Sequence, residues 1–120
     1  MPLPNPHDPL QREILGIAED IKVRAKLLTE KAYLWDTLLV VDTRRERFKM
    51  EIRDELGHIR REMRNLLDMK DNLSKKAQKL LDIIEKDVMA ADRYLDDDWP
   101  AMPFAALVDD TRDLYEEVLI

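Results

Sequence analysis

Residues 52–84, IRDELGHIRREMRNLLDMKDNLSKKAQKLLDII, decide how this chain folds. Their apolar side chains recur at alternating steps of four and three: Ile52, Leu56, Ile59, Met63 and Leu66, then, past Lys70, Leu73, Ala77, Leu80 and Ile84. A seam of that period runs along one side of a helix and is hidden from water only by other helices. The chain upstream carries a matching seam of Ile14, Ala18, Ile21, Ala25, Leu28, Ala32, Trp35 and Leu39. Here alanine alternates with large residues, so a partner helix is expected to approach closely at Ala18, Ala25 and Ala32. Leu27, Leu34 and Leu38 widen the stripe towards its end, which predicts contact with two helices rather than one.

Composition agrees with this reading. Charged residues make up 38 % of the 120, and only two residues are glycine. All six prolines lie at positions 2–9 or 100–103, so nothing between Leu10 and Trp99 forbids helix on proline grounds. The expected fold is all-α: an antiparallel bundle of three long helices, at residues 9–41, 44–70 and 73–98, plus a short C-terminal helix. Asp8 before Pro9 starts the first helix, and Thr43 with Glu46 forms a capping box for the second. A turn at residues 68–74, capped by Asp71 or Asn72, separates the second and third. The heptad phase survives that stretch, so the alternative is a long helical hairpin pairing as a dimeric coiled coil. Residues 1–8 read as a mobile proline-rich arm.

Several function classes are excluded or disfavoured. There is no cysteine, hence no disulfide, thiol nucleophile or Cys-ligated metal. Ser74 is the lone serine, and the two glycines, Gly16 and Gly57, lie within helical patterns, so neither a nucleophile dyad nor a phosphate-cradling loop is expected. The expectation is a non-enzyme without a cofactor. The longest apolar run is Leu38 to Val41, far short of a bilayer span, and the first residues lack the basic and apolar regions of a signal peptide. A cytoplasmic protein is expected.

Glu55 and His58 have the Glu-x-x-His spacing of carboxylate-bridged di-metal bundles. Such sites need two of these motifs, and the sole other histidine, His7, lies in the arm. The seam also puts His58 on the outer face between Asp54 and Glu62. The expectation is therefore a solvated histidine and no metal ligand; a dimeric metal-binding bundle using Glu55 and His58 is the alternative. Residues 44–64 hold eight basic side chains (Arg44, Arg45, Arg47, Lys49, Arg53, Arg60, Arg61 and Arg64) against five acidic ones. That excess gives a second alternative, weak binding of a polyanion or an anionic membrane. The interspersed acids disfavour nucleic acid.

Residues 1–91 carry 18 basic and 17 acidic side chains, whereas residues 92–120 carry two and nine. Residues 99–120 combine that acid with aromatic and aliphatic residues, the composition of an amphipathic docking segment. The leading functional expectation is a protein–protein interaction or assembly module, self-associating, with Trp99, Phe104, Leu107, Leu114 and Tyr115 as partner-binding residues. A fourth helix packed on the chain's own core is the competing account of the same segment.

Overall fold

The computed structural model describes residues 9–38, 41–97 and 104–119. The expected arm at 1–8, the Asp8 cap and Trp99 lie outside the described residues. Four helices follow in order: α1 (Pro9–Thr37), α2 (Thr43–Asp68), α3 (Lys75–Asp97) and α4 (Phe104–Leu119). They form an antiparallel bundle, three long helices and one shorter, as the two seams require.

Local chemistry sets the boundaries. α1 stops at Thr37, four residues short of expectation, because side chains satisfy the carbonyls at its end. The Thr37 hydroxyl donates to Leu34 O, and the Arg45 guanidinium donates to Trp35 O at 2.9 Å and Leu38 O at 3.0 Å. α2 is capped by Asp42 rather than Thr43: the Asp42 carboxylate accepts from the Arg44 backbone N–H at 2.9 Å, and Thr43 is already helical. The Arg44 side chain and backbone together hold the Asp42 carboxyl at about 2, below the usual range. Between α2 and α3 lies a turn, with one short 3₁₀ segment at Lys70–Asn72. Ser74, not Asp71 or Asn72, caps α3, its hydroxyl accepting from Ala77 N–H at 3.1 Å. Gln78 ties the turn down by donating to Lys70 O and Leu73 O.

Contacts across the helices give the register. Arg24 and Lys31 of α1 meet Glu55 and Glu51 of α2; Arg53 of α2 meets Asp92 and Asp96 of α3; Ser74, the cap of α3, meets Glu117 of α4. Lys22 of α1 lies over the Tyr115 ring of α4 at 4.1 Å, closing the ring of four. The molecule measures 54 × 21 × 19 Å, about one long helix at 1.5 Å per residue plus its ends. The Asp96 carboxylate, unfavourably placed at the C-terminal end of a helix dipole, is matched by Arg53 and Lys49 of α2.

Both seams are core. Ile52, Leu56, Ile59, Met63 and Leu66 are buried, as are Ile14, Ala18, Ile21, Ala25, Leu28, Ala32 and Trp35. Ala18, Ala25 and Ala32 are completely covered, so no volume is left for a larger side chain there. Ala25→Leu is expected to cost about 1–3 kcal/mol through overpacking. A thermal melt unchanged by that substitution would contradict the close α1 contact. Gly57 has a different status: a methyl group added there meets nothing within 4 Å, so it marks no close approach of another helix.

One end of the bundle is aromatic. Tyr94 stands edge-on to both Trp35, with centroids 5.6 Å apart, and Phe104, at 5.8 Å. The Tyr94 hydroxyl donates to Asp36 at 2.6 Å, and Arg45 covers the Trp35 ring at 4.0 Å. This cluster ties α1, α3 and α4 together where α4 begins.

Candidate metal centre

α1 and α2 run antiparallel, and half-way along them the register sets Asp20 opposite His58. Both flank the buried seam: Asp20 precedes Ile21, and His58 precedes Ile59. Glu62 follows His58 by one helical turn, so it rises on the same side of α2. His58 Nε2 lies 3.5 Å from Asp20 Oδ2 and 3.3 Å from Glu62 Oε1. The three side chains are half-buried, at 39 % exposed for Asp20, 32 % for His58 and 20 % for Glu62. Each offers one ligand atom, and all three atoms lie within 4.8 Å of one another.

This placement refines two readings of the sequence. His58 is about a third exposed rather than on the fully outer face, because tertiary packing brings α1 against its flank. Glu55, its companion in the alternative metal-binding reading, instead accepts from Arg24 Nη1 at 3.1 Å. Arg24 also donates Nε–H to Asp20 Oδ2 at 2.9 Å, and this bond is the largest cause of its raised guanidinium pKa. Arg24 therefore holds the same Asp20 oxygen that faces His58, fixing where that carboxylate stands. Two carboxylates, Asp20 and Glu62, stand against His58, and among the described residues Arg24 is the cation paired with Asp20. The local charge balance favours a cation.

The two His58–carboxylate distances bear on what the cluster could hold. A charge-assisted hydrogen bond from a protonated histidine would be about 2.7–2.9 Å long. The observed 3.3 and 3.5 Å are longer. They are close to the ligand–ligand edge of a tetrahedron, about 3.3–3.4 Å for metal–ligand bonds of about 2.0–2.1 Å. An octahedral site with the same bonds would have edges near 2.9 Å (about 1.4 times the bond length). Imidazole nitrogen with two carboxylate oxygens is a donor set that zinc accepts, with a fourth position left for water or another group.

The residues expected to bind a partner lie elsewhere. Phe104, Leu107 and Leu114 are wholly buried in the bundle, and Tyr115 is half-buried beneath Lys22. While α4 is docked, the three buried side chains are occupied by their own chain. Asp20 is the site residue that sequence reading passed over. It lies 38 positions from His58, and its signal, a carboxylate beside the α1 seam, becomes legible when the α1–α2 register is known.

No protein-family model, curated protein or solved structure matches this chain. Among the described residues, no helix is long and apolar enough to cross a membrane.

Proposed function

We propose that the protein is a metal-binding helical bundle that takes one zinc-like divalent ion at Asp20, His58 and Glu62. The observation that carries this reading is the pair of His58–carboxylate separations, which suit tetrahedral ligation better than a hydrogen bond. It departs from a two-motif di-metal site: α1 supplies the extra carboxylate, so no second chain is needed to complete three ligands. Arg24 orients Asp20 from outside the ligand set, as supporting hydrogen bonds do around metal ligands. An ion there joins α1 to α2 and stabilises the folded state by mass action.

Zinc added to chelator-stripped protein tests this. One equivalent should bind, and free zinc at 100 times its dissociation constant should add about 2.7 kcal/mol of stability. Cobalt(II) in the same site should give the visible absorption of tetrahedral coordination. His58→Ala and Asp20→Asn should each abolish both effects. A melting temperature indifferent to zinc, or equal zinc binding by His58→Ala, would refute the proposal.

A second reading, an interaction module working through outward helix faces, is supported by a separate observation. Val23, Leu27 and Leu34 share one side of α1 and are each about half exposed. Self-association through that side should be visible as concentration-dependent mass in light scattering.

A further inference from the structure

The stretch at residues 44–64 reads as one basic run, but the fold divides it. Arg44 is paired with Asp42, Arg47 with Glu51, Lys49 and Arg53 with Asp96, and Arg45 caps α1. Arg60, Arg61 and Arg64 are exposed and take part in no ion pair among the described residues. The chain's net charge is −6, so these three cations are unmatched in spite of an acidic excess.

Two of them border a recess. Of the neighbouring helix pairs, α2 and α3 are the least closely packed, and between them opens a groove of about 270 Å³. Arg60 and Arg64 form its α2 wall, Glu85 and Met89 its α3 wall, and Met63 and Leu67 contribute apolar lining. Leu67 is 38 % exposed and Met89 50 %. Methionine's unbranched, polarisable side chain adapts to the shape of an incoming apolar group.

We infer that this groove docks an acidic amphipathic helix of a partner protein, which gives the interaction-module reading a location and a ligand chemistry. Charge complementarity selects the occupant. Arg60 and Arg64 stand one turn apart, about 6 Å along the axis, so carboxylates at i and i+4 of a facing helix meet both guanidinium forks. An apolar side chain on the same helix enters between them onto Leu67 and Met89, the helix-in-groove mode. Glu85 on the far wall calls for a cation on the occupant's other flank and so sets its orientation. A nucleic acid or free phosphate has nothing to place on the apolar lining. A bilayer surface is flat and does not enter a recess.

Methyl NMR of the full chain tests the inference and separates it from the reading beneath it. The probe is an alanine-based helical peptide with leucine and phenylalanine at i and i+4, flanked by glutamates; the control replaces those glutamates with lysines. The glutamate peptide should shift the Met63, Leu67 and Met89 methyl signals. The lysine peptide should leave them in place, and Arg60→Glu/Arg64→Glu should weaken the glutamate peptide at least tenfold. Both arginines are exposed, so the double variant is expected to keep the wild-type melting temperature and zinc response. Shifts at Val23 and Leu27 instead would overturn the groove and keep the interaction module, whereas no shift at any methyl would overturn both. Two further results would overturn the inference: arginine-dependent binding of phosphatidylglycerol vesicles without peptide binding, or arginine-dependent self-association, which would make the occupant a second copy.

Discussion

Phe104→Ala is expected to lower stability by about 3–5 kcal/mol and to release α4 from the bundle. Phe104 is fully buried at the first residue of α4, edge-on to Tyr94. Its removal opens a cavity in the contact that joins α4 to α1 and α3. The 16 residues of α4 are too few to hold a helix firmly in water without tertiary support. A loss of that size is a large share of a typical net stability of about 5–15 kcal/mol. Denaturant melts give the energy, and hydrogen exchange gives the location. In the unmodified protein the α4 amides should exchange as slowly as those of α1; in the variant they should exchange fast. Fast exchange of α4 in the unmodified chain would revive residues 99–120 as a partner-seeking segment.

A second large effect is expected at the α3–α4 contact, where Asp87 meets Asp110. Asp87 is partly withdrawn from water, and its Oδ2 is buried with no hydrogen-bond partner among the described residues. Burial first, then the hydrogen bond and charge of Asp110, push the Asp87 carboxyl up to about 7 from an ordinary value of 3.8. Between those two values the folded protein holds a proton that the unfolded chain has released. Stability therefore falls as pH rises from about 4 to 7, and above 7 the fold carries two facing carboxylates. Asp87→Asn removes the buried charge and supplies an amide N–H for Asp110, so it should flatten that slope and stabilise the protein at pH 8 by about 1–3 kcal/mol, the cost of an unsatisfied buried polar group. Denaturant midpoints of both proteins at pH 5 and pH 8 check this. Equal pH slopes for the two would show that Asp87 is solvated.

Much of the architecture is legible in the sequence, because a helix repeats every 3.6 residues and its buried face must repeat with it. The alternation at Ala18, Ala25 and Ala32 against Ile14, Ile21 and Trp35 identifies the α1 face that packs closely, and every one of those residues is buried. The seam at residues 52–84 likewise identifies the buried sides of α2 and α3. It does not decide whether they are one helix or two, since the phase is the same on both sides of the turn. The break depends on Ser74, Gln78 and Met69 satisfying particular backbone groups, and on α3 gaining α4 as a neighbour.

Helix ends were less legible for a related reason. Arg45 stops α1 from the first turn of the next helix, a contact between residues ten apart that no periodicity encodes. The candidate metal centre shows the same limit over a longer range. Glu55 and His58 share a local spacing, yet packing gives Glu55 to Arg24 and gives His58 to Asp20 and Glu62. The sequence by itself determined the all-α class, the residues of the core seams and the antiparallel return of α2, because each follows from local period and turn length. Only the tertiary structure decided that Asp20 stands beside His58, that Asp87 faces Asp110 and that Phe104 is core. Those pairings join side chains 10 to 38 positions apart, and their distances are set by how whole helices slide and rotate against one another as they bury their seams.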